Sequence, residues 1–131
     1  GEHAHVIGAL MQKFVTAVKE DHEQIEIWGS GNQSRDLIYI KDAVSAMEII
    51  LNNDKYDTVN VASGVETSIR TLAETLKEIS GFKGTLWYNI DRPEGIKNRA
   101  IDNSRLKELG WSPKYTLEEA LTETYEWYYA R

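Results

Sequence analysis

The chain contains no cysteine, which excludes disulfides and thiolate metal sites and fits a reducing cytoplasm. It also lacks any basic excess: 15 lysines and arginines stand against 21 aspartates and glutamates, a formal net charge of −6. Neither end carries a basic block, so non-specific attraction to nucleic acid or to an anionic membrane is not expected. Any anion must be caught locally. No apolar run approaches the roughly 18 residues that suggest a membrane span, and no basic region followed by an apolar one opens the chain. An initiator methionine is absent as well, and "GEHAHVIGAL" enters what reads as a helix already under way. The chain is therefore expected to be a piece of something longer.

What is present is 131 residues with 41% hydrophobic content, sufficient for one ordinary core and too little for two. From His5 to Lys19 the spacing places Val6, Leu10, Phe14 and Val18 on one helical stripe, with Ala9 and Ala17 beside it. "IEIW" alternates as a strand with Ile25 and Ile27 on one face, and "DLIYI", Asp36 to Ile40, reads as a second short strand. Asp42 is placed to cap a helix over 43–51, with Val44, Met47 and Leu51 expected on its buried side. "TVNVA", Thr58 to Ala62, reads as a strand. Ser68 caps a helix carrying Ile69, Leu72, Ala73, Leu76 and Ile79, which Gly81 stops. "GTLWYN" reads as another strand, Ser104 opens a short helix, and Thr116 with Glu119 forms a capping box for the last one. Alternating strands and helices predict an α/β layered arrangement. Four short strands make a poor sheet, so they either pair in small sets or complete a larger sheet outside this chain.

Two stretches carry candidate chemistry. In "WGSGNQSRD", Gly29 and Gly31 permit positive φ and close backbone approach, and Arg35 offers a planar fork that matches two phosphate oxygens. A diphosphate would suit them; a glycine turn with a surface arginine is the plainer alternative. The polar loop from Asp91 to Arg105 places Glu94 where it would accept from ribose hydroxyls and Arg99 where it would donate to phosphate, unless its charges merely pair in solvent. A metal site would need three or four converging ligands, and His3 with His5 supplies only an i, i+2 pair, so no metal is expected. A single histidine at a helix start also suits general acid or base work, with an exposed surface histidine as the alternative. Trp111, Tyr125 and Tyr128 read as core residues, and Trp28 as the one tryptophan on a ligand surface.

The segments "HVIGALMQKF", "IEIWGSGNQSRDLIYIKDAV", "VNVASGVETSIRTLAETL" and "DRPEGIKNRAIDNSRLKELGWSPKYTLEEALTETYEWY" occur in an order that resembles, over nearly the whole chain, the carboxy-terminal half of extended short-chain dehydrogenase/reductases. These are the NAD-dependent nucleotide-sugar epimerases and dehydratases, and the likeness is greatest to the GDP-L-fucose synthase-like epimerase/reductases. The resemblance implies a single substrate-binding domain over 1–131, built of helices and short strands, that packs on an amino-terminal NAD(P)-binding Rossmann domain absent here. By position, it implies that Arg35 is the diphosphate ligand, that Ile27 and Trp28 line the base pocket, and that Val6 and Leu10 contribute to the nucleotide pocket. It implies that His5 is one of two acid/base residues of an epimerisation, and that Glu94 and Arg99 contact the nucleotide.

There are departures from the pattern. Gly8 stands where proline is usual, Lys41 where an acidic residue often precedes Asp42, and Asn98 with Arg99 replaces a basic pair. The chain has no GxxGxxG turn after a strand and no YxxxK pair; Tyr125 is followed four positions on by Tyr129. The expectation is that this chain binds a nucleotide-diphosphate sugar, binds no cofactor itself, and is not catalytically competent alone, with NAD or NADP belonging to the intact enzyme. A non-catalytic oligomerisation or interaction module using the same fold is the alternative.

Overall fold

The computed structural model of the chain describes residues 2–94 and 99–131, with side chains from Val6 onward. Its first helix, α1, runs Glu2–Lys19, and strand β1 follows at Gln24–Trp28. Between them Asp21 takes a left-handed φ of 56°, and His22 donates its amide to the Ala17 carbonyl at 2.8 Å, so the helix ends in a closed turn. Next come β2 at Ser34–Asp36, α2 at Ile40–Leu51 and β3 at Glu66–Ser68. The chain continues through α3 at Ile69–Ser80, β4 at Thr85–Asn89, α4 at Ser104–Glu108 and α5 at Leu117–Tyr129.

The strands pair in two small sets. β1 and β4 run parallel, from Gln24 opposite Thr85 to Trp28 opposite Asn89, while β2 and β3 are antiparallel with Arg35 opposite Thr67. A parallel pair needs a long crossover, and the stretch holding α2 and α3 supplies it. Helices α1, α3 and α5 pack on one another, with α1 lying on β1. Their shared core holds Leu10, Met11, Phe14, Ile25, Ile27, Leu72, Leu76, Phe82, Leu121 and Tyr125. The α3 stripe is buried as its spacing predicts, and in α1 the buried face includes Met11 and Val15 while Ala9 is exposed.

Caps at the ends of these helices follow the sequence closely. Ser68 Oγ accepts from the Thr71 amide at 3.0 Å, Gly81 ends α3 at a φ of 73°, and Thr116 and Glu119 form the reciprocal capping box of α5. No helix among the described residues is long and apolar enough to cross a membrane.

Three expectations are corrected. The second strand is not 36–40 but Ser34–Asp36, because α2 already begins at Ile40 behind Tyr39. Residues 58–62 form no strand: a β-type run needs a partner for its ladder, and this one has none among the described residues. Asp42 does not cap α2 from outside. It lies within the first turn, 3% exposed, where its Oδ1 accepts the Lys114 amide at 2.8 Å and its carbonyl accepts the Trp111 indole at 3.1 Å.

That last arrangement turns α2 over. Its inner face is Asp42 and Ala46, with Ile49 and Ile50 packing on a second small cluster around Leu106 and Trp111. The apolar stripe Ile40, Val44, Met47 and Leu51, part of which was expected inside, is 49–82% exposed. Counting apolar residues selects the wrong face here, because the interior of this helix is organised by a hydrogen-bonded aspartate. The Phe14 ring, fully buried against Phe82, gives the contrast. Phe14→Ala is expected to cost about 3–5 kcal/mol in urea unfolding, whereas Leu51→Ala on the exposed stripe should stay within about 0.5 kcal/mol.

Candidate functional site

The bend after β1 is built by its own packing. Gly29 and Gly31 take φ of 82° and 81°. A Cβ on Gly29 would lie 2.7 Å from the Glu94 Cβ, and one on Gly31 would lie 2.6 Å from the Tyr88 ring. The close approach that requires glycine is thus to Glu94 and Tyr88 of the same chain. Ser30 Oγ donates to Glu94 Oε1 at 2.5 Å, and Ser30 O accepts from Arg70 Nη2 at 2.7 Å. The Arg70 guanidinium lies 3.9 Å over the Tyr88 ring, and its own amide donates to Gly31 O at 2.9 Å. Burial raises the Tyr88 phenol above its ordinary pKa, with Arg70 opposing the shift. These contacts tie the bend to β4, to α3 and to the loop that carries Glu94.

Beyond the bend, four consecutive polar residues are buried: Gln33, Ser34, Arg35 and Asp36 are 5–8% exposed. Polar side chains leave water only with partners. Arg35 Nη1 donates to Ser34 O at 2.9 Å. Asp36 accepts four hydrogen bonds: Oδ1 from the Ser63 amide at 2.9 Å and the Ser63 hydroxyl at 2.7 Å, Oδ2 from the Gly64 amide at 3.0 Å and the Ile101 amide at 2.9 Å. Glu66, opposite Asp36 in the ladder, accepts from the Ala100 amide at 3.1 Å. The segment that follows Arg99 is therefore held against β2 and β3.

Trp28 closes the other end of the bend. It is 45% exposed, its indole donates to Glu26 Oε1 at 3.3 Å, and Arg92 lies 5.3 Å over its ring. The Asn89 hydrogen bond to Glu26, at 2.7 Å, is the main reason that the Glu26 carboxyl is held below its usual pKa. A shallow polar groove runs beside β2, lined by Asn32, Ser34, Glu66, Thr67, Ser68 and Thr71.

The bend and Glu94 are in contact, and the Arg35 strand is tied through Asp36 to the segment after Arg99, which is itself exposed. Leu10 and Ile27, 6% and 3% exposed, sit in the main core, with Val6 packed at its margin. The side chains of His3 and His5 lie outside the described residues, as do residues 95–98 of the charged loop. Among the described residues, no group of three or more His, Asp and Glu converges as a metal site would require. Sequence reading missed Asp36 as an organising residue and Arg70 as the brace of the bend. A signal for Asp36 exists in the unbroken polar run between two apolar ones; Arg70 has no local signal, since its role depends on Tyr88, eighteen positions on.

The family model described as GDP-mannose 4,6 dehydratase matches residues 2–124. GDP-L-fucose synthase 1 of Arabidopsis thaliana is 38% identical over 130 residues, covering 97% of this chain and 40% of that protein. GDP-L-fucose synthase of Escherichia coli K12 is 32% identical over 136 residues, covering 96% of this chain and 42% of that protein. In solved structures, a GDP-L-fucose synthetase from Naegleria fowleri superposes with a TM-score of 0.86 at 24% identity, over 97% of this chain and 40% of that one; at that identity the likeness concerns the fold. The chain spans about two fifths of the length of the curated relatives it matches.

The helices and small two-stranded pairs define a class: they resemble the carboxy-terminal domain of short-chain dehydrogenase/reductase-fold nucleotide-sugar enzymes. Within that class, the chain belongs to the GDP-mannose 4,6 dehydratase family.

The packing of the bend makes a direct prediction. Gly31→Ala combines a strained φ with a clash on the Tyr88 ring, so it should destabilise the chain by about 1–3 kcal/mol, read in urea unfolding. A variant as stable as the wild type would contradict this packing.

Proposed function

We propose that this chain is the sugar-nucleotide-binding part of an NAD(P)-dependent nucleotide-sugar epimerase/reductase that acts in the cytoplasm. Arg35 takes the diphosphate, Arg99 flanks it, Trp28 faces the base with Ile27 supporting that strand from the core side, and Glu94 meets the ribose. Val6, at the margin of the core, supplies an apolar wall to the nucleotide, with Leu10 packed in the core behind it. The observation that carries this reading is a buried guanidinium on an all-polar buried strand, in a chain of net charge −6. A desolvated arginine fork is well suited to a diphosphate, because charge-assisted bidentate bonds strengthen where water is excluded. The polar groove beside β2 supports a polyol ligand, since hydroxyl and amide side chains and the acceptor carboxylate of Glu66 line it.

In the intact enzyme, His5 would serve as proton donor or acceptor at a sugar carbon beside a keto group. Redox chemistry is assigned elsewhere. The glycines of the bend lead from β1 into β2 rather than into a helix amino terminus, so the bend does not offer the strand-turn-helix cradle that grips a dinucleotide. NAD or NADP would be held by an amino-terminal Rossmann half, and this chain alone would be inactive in hydride transfer.

The exposed stripe of α2, Ile40, Val44, Met47 and Leu51, supports a docking face for that half. The same face favours a second reading, a non-catalytic oligomerisation or interaction module.

Calorimetric titration of GDP-, UDP- and dTDP-sugars tests the first reading. Arg35→Ala should weaken binding at least tenfold, the equivalent of about 1.5–3 kcal/mol for a charged hydrogen-bonded contact, while circular dichroism stays unchanged. Binding that does not respond to the substitution would show that the diphosphate site is assigned wrongly, and self-association in light scattering with no ligand binding would favour the module.

A further inference from the structure

Arg35 and Arg99 lie 64 positions apart in the sequence, and a diphosphate held by both needs their separation fixed. The exposed side chain of Arg99 does not fix it, since it rotates about several bonds. The main chain beneath them must do so.

We infer that Asp36 is the positioning residue that sets this separation. Its carboxylate is next in the chain to Arg35, and it accepts the amide of Ile101, two residues after Arg99. Ser63 and Gly64 fill its remaining acceptor positions, so the carboxylate is held on both oxygens and cannot swing with the segment it anchors. Glu66 adds a parallel tether one residue nearer Arg99, at the Ala100 amide. The proposal rests on the diphosphate reading above, but it concerns a residue that touches no ligand.

The chemistry makes Asp36→Asn a sharp test. A carboxamide has one acceptor oxygen in place of two, and its NH2 would face donors whichever way it is turned. If the NH2 faces Gly64 and Ile101, two backbone amides lose their acceptor. If it faces Ser63, the hydroxyl can reverse its role but the Ser63 amide cannot. The side chain keeps its size, so loss of packing does not confuse the result.

The experiment uses the polypeptide as its gene encodes it. Amide hydrogen exchange should rise about tenfold or more at whichever of residues 63, 64 and 101 lose their acceptor, with the α1 and α3 core amides unchanged. Calorimetry with a GDP-sugar, and with the UDP-sugar if that binds more tightly, should show affinity falling about tenfold. Arg35→Ala is run beside it. If Arg35→Ala weakens binding and Asp36→Asn speeds exchange at the Ile101 amide without weakening binding, the positioning role is overturned and the diphosphate reading stands. If neither substitution weakens binding, both fall. Should Asp36→Asn fail to fold, Ser63→Ala decides, since it removes one of the four bonds: binding about two- to threefold weaker is expected, and unchanged binding overturns the proposal.

Discussion

A single buried carboxylate joins three stretches of chain that are distant in sequence. Asp36 binds the turn at Ser63 and Gly64 and the segment entering α4 at Ile101 to the short strand β2. β2 has only three residues and one ladder partner, which is too little hydrogen bonding to locate it in the fold alone. Backbone amides arriving from two other loops supply the rest, and they do so at the cost of burying an ion that must stay fully hydrogen-bonded. The candidate site depends on this junction, because Arg35 and the segment holding Arg99 meet there.

Two kinds of interior therefore coexist. Around α1, α3 and α5 the core is apolar and conventional, with Phe14, Met11 and Leu72 fully buried. Around β2 and the start of α2 the interior is polar, organised by Asp36 and Asp42, each accepting backbone amides. A second brace lies on the surface, where Glu123 accepts from Tyr39 at 2.9 Å and Lys41 at 2.8 Å and links α5 to the start of α2. The Lys41 bond is the chief cause of the lowered Glu123 pKa.

Much of the apolar half was legible in the sequence. The α3 stripe, the Ser68 and Thr116 caps, the Gly81 stop and the strands at 25–28 and 85–89 all follow from local spacing and local hydrogen bonding. The polar half was not, because its logic is tertiary. "DLIYI" and "TVNVA" have the composition of strands, yet composition does not say whether a partner lies alongside. In α2 the apolar residues Val44, Met47 and Leu51 pointed to a buried face, but the Trp111 indole and Lys114 amide pull Asp42 inside instead. The glycine bend was read for its openness to a ligand. Its glycines are in fact required by Glu94 and Tyr88, contacts made across more than fifty positions of sequence.

The most direct measurement is a crystal structure of the encoded polypeptide with a bound nucleotide-diphosphate sugar. The account predicts the diphosphate oxygens within hydrogen-bond distance of the Arg35 guanidinium, about 2.7–2.9 Å, with Trp28 against the base. A diphosphate bound elsewhere, with no phosphate oxygen within hydrogen-bond distance of the Arg35 guanidinium, would contradict it.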